Sequence, residues 1–363
     1  MKVIISGGGT GGHIFPALSI ADELKRTIKD VDILFVGAQG KMEMERVPLA
    51  GYPIKGLPIV GMPRKFSLEF INFALSVFKS NRIAAKIIKD FRPDFVVGVG
   101  GFASYPILNA ASRRKVPTYL QEQNSYAGVS NKELAKRVRK ICVAYEGMSR
   151  FFPAEKIVLT GNPVRKNLLE VIDKNEALKA YGLEQDKKVI VIMGGSLGAR
   201  TLNEGVLAQL KTIAESSVQV IWQTGKIYYE EMMQRLGDDK PENLHVYQFL
   251  TNMDQAYAVA DLVVARAGAS TISELCLLGK PSILVPSPNV AEDHQTKNAM
   301  ALVDKNAAFF VKDSDAKEKM MLEALGLVKN QTRLVELGEN CLKMAKPHAT
   351  KDIVEVILND LKK

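Results

Sequence analysis

The chain has 363 residues, 47% hydrophobic and 25% charged, with a net charge of +9. Those values belong to a globular protein with room for two cores, and they exclude a disordered chain or a collagen-like one. No apolar stretch reaches transmembrane length, and the N-terminus enters a strand without a signal-peptide pattern, so a cytosolic protein is expected. The charge is lopsided: residues 1–165 hold 25 Lys and Arg against 13 Asp and Glu, whereas the remainder is slightly acidic. A basic half suits an anionic surface, or is simply solvated. No nucleic-acid module is present and aromatic residues are few, so nucleic acid is not expected. Cys142, Cys276 and Cys341 are widely spaced among apolar residues. They read as buried thiols, and neither they nor the four histidines have metal-ligand spacing.

The first thirteen residues are the densest in information. Met1–Ser6 is a short apolar run with a strand predicted at Val3–Ser6, Gly7-Gly-Gly-Thr-Gly-Gly-His13 follows, and a helical pattern runs through Pro16–Lys29. Strand, glycine loop and helix bring backbone N–H groups and a positive helix end to an anionic ligand. Further strands are predicted at Asp32–Val36, Phe95–Val99, Thr118–Leu120, Lys140–Val143 and Ile157–Leu159. Helices are predicted over Ser67–Phe91 and Asn131–Arg139. Near Gly161-Asn-Pro163 the pattern breaks, then restarts with strand Lys188–Met193, loop Gly194–Gly198 and helix Ala199–Ile213. Strands at Val218–Gln223, Val246–Phe249, Leu262–Ala265 and Ser282–Val285 and a closing helix at Lys351–Leu361 complete the chain. Alternation of this kind implies α/β architecture: two doubly wound, Rossmann-like parallel sheets facing one cleft, with ligands beyond the carboxyl ends of the strands.

Gly7, Gly9 and Gly12 satisfy G-x-G-x-x-G, the dinucleotide fingerprint. That reading needs a carboxylate closing the second strand. Asp32–Val36 runs instead into Gly37-Ala-Gln-Gly40. An NAD-dependent oxidoreductase is therefore the weaker alternative. A third cluster, Gly98-Val-Gly-Gly-Phe102, follows another strand, and Gln121-Glu-Gln-Asn124 follows a fourth. These are turns, or a shared anion and sugar site. Thr271 and Glu274 have capping-box spacing. The competing reading is that Ser270, Thr271 and the helix N-terminus receive a diphosphate while Glu274 accepts from a ribose. Gln295 offers both donor and acceptor to a sugar. His13 either packs at its helix start or serves as a general base. Helix Ser67–Phe91 has two apolar stripes, Leu68, Ile71, Leu75 and Phe78 on one and Phe70, Phe73 and Val77 on the other. Lys79, Arg82, Lys86 and Lys89 follow. A helix lying on an anionic bilayer fits that pattern, as does one buried in a core or a dimer contact.

Taken together, GGGTGGH, GVGGF, EQN with AGVSNK, GNPVR, GGSLGAR, RAGASTISE and EDHQ resemble, in order, the MurG family of bacterial peptidoglycan N-acetylglucosaminyltransferases. The resemblance implies the two-domain GT-B fold and inverting transfer of N-acetylglucosamine from UDP-GlcNAc to the C4 hydroxyl of the muramyl sugar of lipid I. The products are lipid II and UDP, on the cytoplasmic face of the inner membrane. It also implies no cofactor and no bound metal. Residues 1–163 would bind the acceptor and the membrane, 164–345 would bind UDP-GlcNAc, and 346–363 would form a helix packing back on the first domain. Thr10, Gly11, Gly12, Asn124, Arg165, Ser196, Leu250, Ala269, Ser270, Thr271, Glu274 and Gln295 would contact UDP-GlcNAc. Gly9, Gly100, Gly101 and Phe102 would hold the acceptor, with its pyrophosphate on the first glycine loop. Ile71, Leu75, Phe78, Lys79, Arg82 and Lys86 would meet the membrane, and His13 would be the base. Two positions depart from many members: Gln121 stands where they have histidine, and Thr296 where they have a second glutamine. Another GT-B enzyme with a lipid acceptor, or a non-catalytic nucleotide-sugar sensor, remains an alternative.

Overall fold

The computed structural model describes residues 1–9, 11–59, 69–164, 168, 170 and 172–362. Two compact units emerge, Met1–Val164 with His348–Lys363, and Arg165–Pro347. The first unit is built from β1 (Lys2–Ser6), α1 (Gly11–Thr27), β2 (Asp32–Ala38), α2 (Glu43–Leu49), β3 (Ile54–Leu57), α3 (Glu69–Phe91) and β4 (Phe95–Gly98). It continues with α4 (Ser104–Arg113), β5 (Thr118–Glu122), α5 (Val129–Leu134), β6 (Lys140–Val143) and β7 (Ile157–Leu159). Its seven strands lie in the order β3-β2-β1-β4-β5-β6-β7, with every pairing parallel. Central parallel strands are covered on both faces, which is why they read as unbroken apolar runs. Val3, Ile4 and Ile5 of β1 are wholly buried, as are Phe95 and Val96 of β4.

The second unit begins with α6 (Lys174–Ala180), β8 (Val189–Met193), α7 (Arg200–Leu207), α8 (Leu210–Ala214), β9 (Gln219–Gln223), α9 (Tyr229–Leu236) and β10 (Leu244–Tyr247). Then come α10 (Met253–Val259), β11 (Leu262–Ala265), α11 (Ala269–Leu278), β12 (Ser282–Leu284), α12 (His294–Val303), β13 (Phe309–Phe310), α13 (Ala316–Leu327) and α14 (Gln331–Lys343). Its six parallel strands run β10-β9-β8-β11-β12-β13. In each sheet the order reverses beside the first strand, between β1 and β4 or between β8 and β11. Ligands of doubly wound sheets bind at that reversal, beyond the carboxyl ends. The loops after β1, β4, β8 and β11 are the ones placed there.

The last helix, α15 (Ala349–Leu361), returns to the first unit. Ile353, Val354 and Ile357 join Ile14, Ala17 and Ile20 of α1 in one core. Asp360 accepts from the Tyr119 hydroxyl at 2.7 Å and pairs with Arg139 at 2.6 Å.

Several elements differ from their predicted spans. α1 starts at Gly11, five residues early, so Gly11, Gly12 and His13 form its first turn. The predicted helix 199–213 is two helices, because Gln209 leaves helical geometry at φ −123°. β3 and β13 lie at the sheet edges and are too short to announce themselves. Among the described residues no helix is long and apolar enough to cross a membrane.

Candidate active site

The first site lies at the ends of β1 and β4. Gly7, Gly8 and Gly9 leave β1 and pass under the loop that follows β4. A Cβ on Gly7 would sit 2.1 Å from Val99 Cγ2, and one on Gly101 would sit 2.5 Å from the Gly8 carbonyl oxygen. Gly100 and Gly101 have φ of +92° and +83°, which only glycine tolerates readily. His13 packs on this turn: a Cβ on Gly100 would lie 2.9 Å from its Cδ2 and 3.0 Å from its Nε2. The sequence-predicted His13, Gly100 and Gly101 therefore share one site. Ser104 Oγ ties the two loops together, 2.8 Å from the carbonyl oxygens of both Ser6 and Gly100. Phe102 is 59% exposed at the rim.

No carboxylate closes the second strand, but one stands in the helix that follows it. Glu43, in the first turn of α2, is fully buried. Its Oε2 accepts from the Gly9 N–H at 2.9 Å and its Oε1 from the Ala38 N–H at 2.9 Å. Sequence reading missed it because four residues separate it from the end of β2. Its role is not that of a ribose acceptor, since both oxygens are engaged inside the protein. The Gly9 N–H is thus already engaged inside the protein.

Gln121 and Glu122 lie within β5 rather than after it. Glu122 is 2% exposed and accepts from the N–H groups of Asn124 and Gly128, both at 3.0 Å, and from Asn131 Nδ2 at 2.9 Å. Burial pushes its carboxyl above the usual range, against the opposing pull of those donors. Glu122 thus organises the loop that carries Asn124 and is not an open sugar ligand. Gln123 Nε2 donates to the Val99 carbonyl at 2.7 Å, and its Oε1 is buried without a partner.

In the second unit, the loop after β8 is held by uncharged groups. Gln223 donates to the Gly195 carbonyl at 2.8 Å and accepts from the Leu250 N–H at 3.3 Å. Gly198 (φ +91°) and Gly225 (φ +87°) stack so closely that a Cβ on Gly225 would sit 2.1 Å from Gly198 Cα. Ser196 is exposed at the tip, and its carbonyl accepts from the Lys226 N–H at 3.2 Å. The Thr224-Gly225-Lys226 turn is a second partner of this loop that the sequence did not signal.

Beside it, after β11, Gly268 is the N-cap of α11, and no side chain caps the helix. Ala269, Ser270 and Thr271 form its first turn, whose N–H groups have no intrahelical acceptor. The capping-box reading is therefore corrected: Thr271 lies inside the helix, and Glu274 turns inward, 4% exposed, to accept from the Tyr257 hydroxyl at 2.9 Å. Ser270 Oγ is buried without a partner at the helix start. Buried polar groups are nearly always paired, so this hydroxyl is a donor left over at the helix start. Gln295 Oε1 accepts from the Ser287 N–H at 2.8 Å. Just before it, Glu292 and Asp293 both have positive φ, +54° and +51°. Such strain in consecutive residues accumulates at functional loops.

Thr10 and Arg165 fall outside the described residues, as does the side chain of Ile71.

Comparison with known proteins follows the same division. The N-terminal domain of glycosyltransferase family 28 matches residues 3–143, and its C-terminal domain matches residues 189–355. The chain belongs to glycosyltransferase family 28. It is 53% identical over 363 residues, covering 100% of this chain and 99% of the relative, to the UDP-N-acetylglucosamine--N-acetylmuramyl-(pentapeptide) pyrophosphoryl-undecaprenol N-acetylglucosamine transferase of Parabacteroides distasonis. It is 54% identical to the Bacteroides thetaiotaomicron protein of the same name, over 99% of this chain and 97% of that one. The crystal structure of Acinetobacter baumannii MurG matches with a TM-score of 0.79 and 30% identity over 99% of each chain. The Neisseria meningitidis UDP-GlcNAc 2-epimerase, at 17% identity, shares the fold, with a TM-score of 0.68 over 99% of this chain and 100% of that one. Two doubly wound units in a family 28 chain make this an α/β protein of the GT-B class.

The two departures from many family members now have a structural account. Gln121 is wholly buried and donates to Asn162 Oδ1 at 2.8 Å, so an amide network fills the place of a titratable ring. Thr296 Oγ1 donates to Asp293 Oδ1 at 2.7 Å, bracing the strained turn. On α3, Ala84, Ile87 and Ile88 enter the core, whereas Leu75 and Phe78 are 54% and 61% exposed beside exposed Lys79, Arg82 and Lys86. This helix of the family 28 chain has one apolar face inward and a second one outward.

Proposed function

We propose that this family 28 chain transfers N-acetylglucosamine, with inversion, from UDP-GlcNAc to the C4 hydroxyl of the N-acetylmuramyl sugar of undecaprenyl-pyrophosphoryl-MurNAc-pentapeptide, producing UDP and the disaccharide lipid. One observation carries the reading: relatives named for this transfer are 53–54% identical to the chain over nearly its whole length. Site chemistry supports it. The acceptor hydroxyl attacks C1 of the sugar, the bond from C1 to the phosphate oxygen breaks, and UDP leaves with the electron pair. His13 takes the hydroxyl proton.

Charge on the departing diphosphate falls on N–H groups of the loop after β8 and on the first turn of α11, where the orphaned Ser270 hydroxyl adds a donor. Glu274, Leu250, Gln295 and Arg165 complete the UDP-GlcNAc site in residues 164–345. Asn124 reaches the same donor from the first unit, residues 1–163 receive the acceptor at the Gly100–Phe102 turn, and residues 346–363 brace them. The exposed Leu75 and Phe78 with their basic neighbours rest the protein on the anionic cytoplasmic face of the membrane. Sedimentation with anionic vesicles tests that part, and loss of binding on changing both to Asp is expected.

The decisive measurement is UDP release from UDP-GlcNAc with and without a lipid I analogue. Release that depends on the acceptor is expected; equal release in its absence, or none in either case, would overturn the reading.

A further inference from the structure

Glu43 presents a problem that the transfer chemistry does not solve. A carboxylate taken wholly out of water is costly, and an apolar side chain of similar size would fill the space at less expense. Among the described residues no Lys, Arg or His forms an ion pair with Glu43. It accepts from the N–H groups of Gly9 and Ala38, and its place in the first turn of α2 adds the favourable end of a helix dipole. The surroundings are cut to fit it. A Cβ on Gly8 would lie 2.1 Å from Glu43 Oε1, and one on Gly37 would lie 2.5 Å from Glu43 Cγ.

From there the contacts continue through backbone alone. Gly8 abuts Gly101, and Gly100 abuts the His13 ring, each pair too close to admit a Cβ. No flexible side chain stands along this path to absorb a displacement. An isolated G-x-G-x-x-G loop would be set by the phosphate it binds; this loop carries its own anion instead.

We propose that Glu43 is a positioning residue for the transfer step: its carboxylate fixes the first glycine loop from beneath and, through Gly8, Gly101 and Gly100, sets the imidazole of His13. This rests on the transfer proposed above.

The test uses the full chain, UDP-GlcNAc and a lipid I analogue. Glu43→Gln keeps the volume but leaves one of the two N–H groups facing an NH2. A roughly 10- to 100-fold fall in kcat is expected, since misplacement by about 1 Å costs that much. The KM for UDP-GlcNAc and the calorimetric stoichiometry of its binding should stay within about twofold of wild type. Unchanged kcat overturns the proposal, and so does a fall in kcat matched by an equal fall in binding stoichiometry, which would mark a merely structural role. Should Glu43→Gln fold poorly, Gly8→Ala pushes the carboxylate aside without removing it. Its loss of kcat should disappear in a Glu43→Ala background, and additive losses would overturn the idea. Absence of acceptor-dependent UDP release in the wild type would be a failure of the transfer reading itself, seen before any variant is made.

Discussion

The two glycine loops differ in a way their shared pattern conceals. Both leave the first strand of a parallel sheet and enter a helix at the point where strand order reverses. The loop after β1 is gripped by a buried carboxylate, with the Gly9 N–H at 2.9 Å from Glu43. The loop after β8 is gripped by the uncharged Gln223 amide and by the Gly225 turn. Near α11 the second unit offers a helix start capped by no side chain and a buried hydroxyl with no partner. In the transfer proposed above, the donor's diphosphate sits where N–H dipoles converge without a competing anion, in the second unit. A glycine fingerprint gives the path of the backbone; the nearest charged side chain decides what the loop can hold.

If the loops divide the work in this way, variants should separate turnover from donor binding. His13→Ala should lower kcat by roughly 10²- to 10⁴-fold, the usual worth of a general base. UDP-GlcNAc affinity should stay within about twofold, as read by calorimetry, and near-normal turnover would remove His13 from the role. Gly198→Ala should act on the other side. Its Cβ would meet the Thr224 carbonyl oxygen at 2.2 Å with φ at +91°. Urea unfolding should show a loss of at least about 2 kcal/mol, with weaker UDP-GlcNAc binding. Ser196→Ala should be the mildest, weakening UDP-GlcNAc by roughly fivefold, about 1 kcal/mol for one hydrogen bond, without changing kcat. An effect of Ser196→Ala on kcat alone would break the comparison.

The legible parts of the fold were the buried central strands. β1, β4, β8 and β11 are apolar runs ended by glycine or by polar turns, and each appeared within two residues of its predicted span. Edge strands β3 and β13 were missed because partial exposure dilutes their pattern. The site was legible where glycine is obligatory, at Gly100, Gly101 and Gly198, since positive φ excludes most other residues. It was illegible where function depends on partners distant in the chain. Nothing local marks Glu43 as the partner of Gly9, 34 residues away. Nothing local marks Tyr257 as the partner of Glu274, and the capping-box spacing there pointed elsewhere.

By itself the sequence determined the α/β class, the restart of the pattern in a second unit, and the ordered motifs that place the chain in its family. All of these follow from short-range periodicity and from residue types that the backbone demands. Tertiary structure alone decided that the first loop is closed by its own carboxylate, that Glu122 is an organiser of its loop, and that the last helix completes the first core. Each of these depends on which groups meet once the sheets are wound. Buried hydrogen bonds are won or lost in that encounter, and sequence spacing does not encode it.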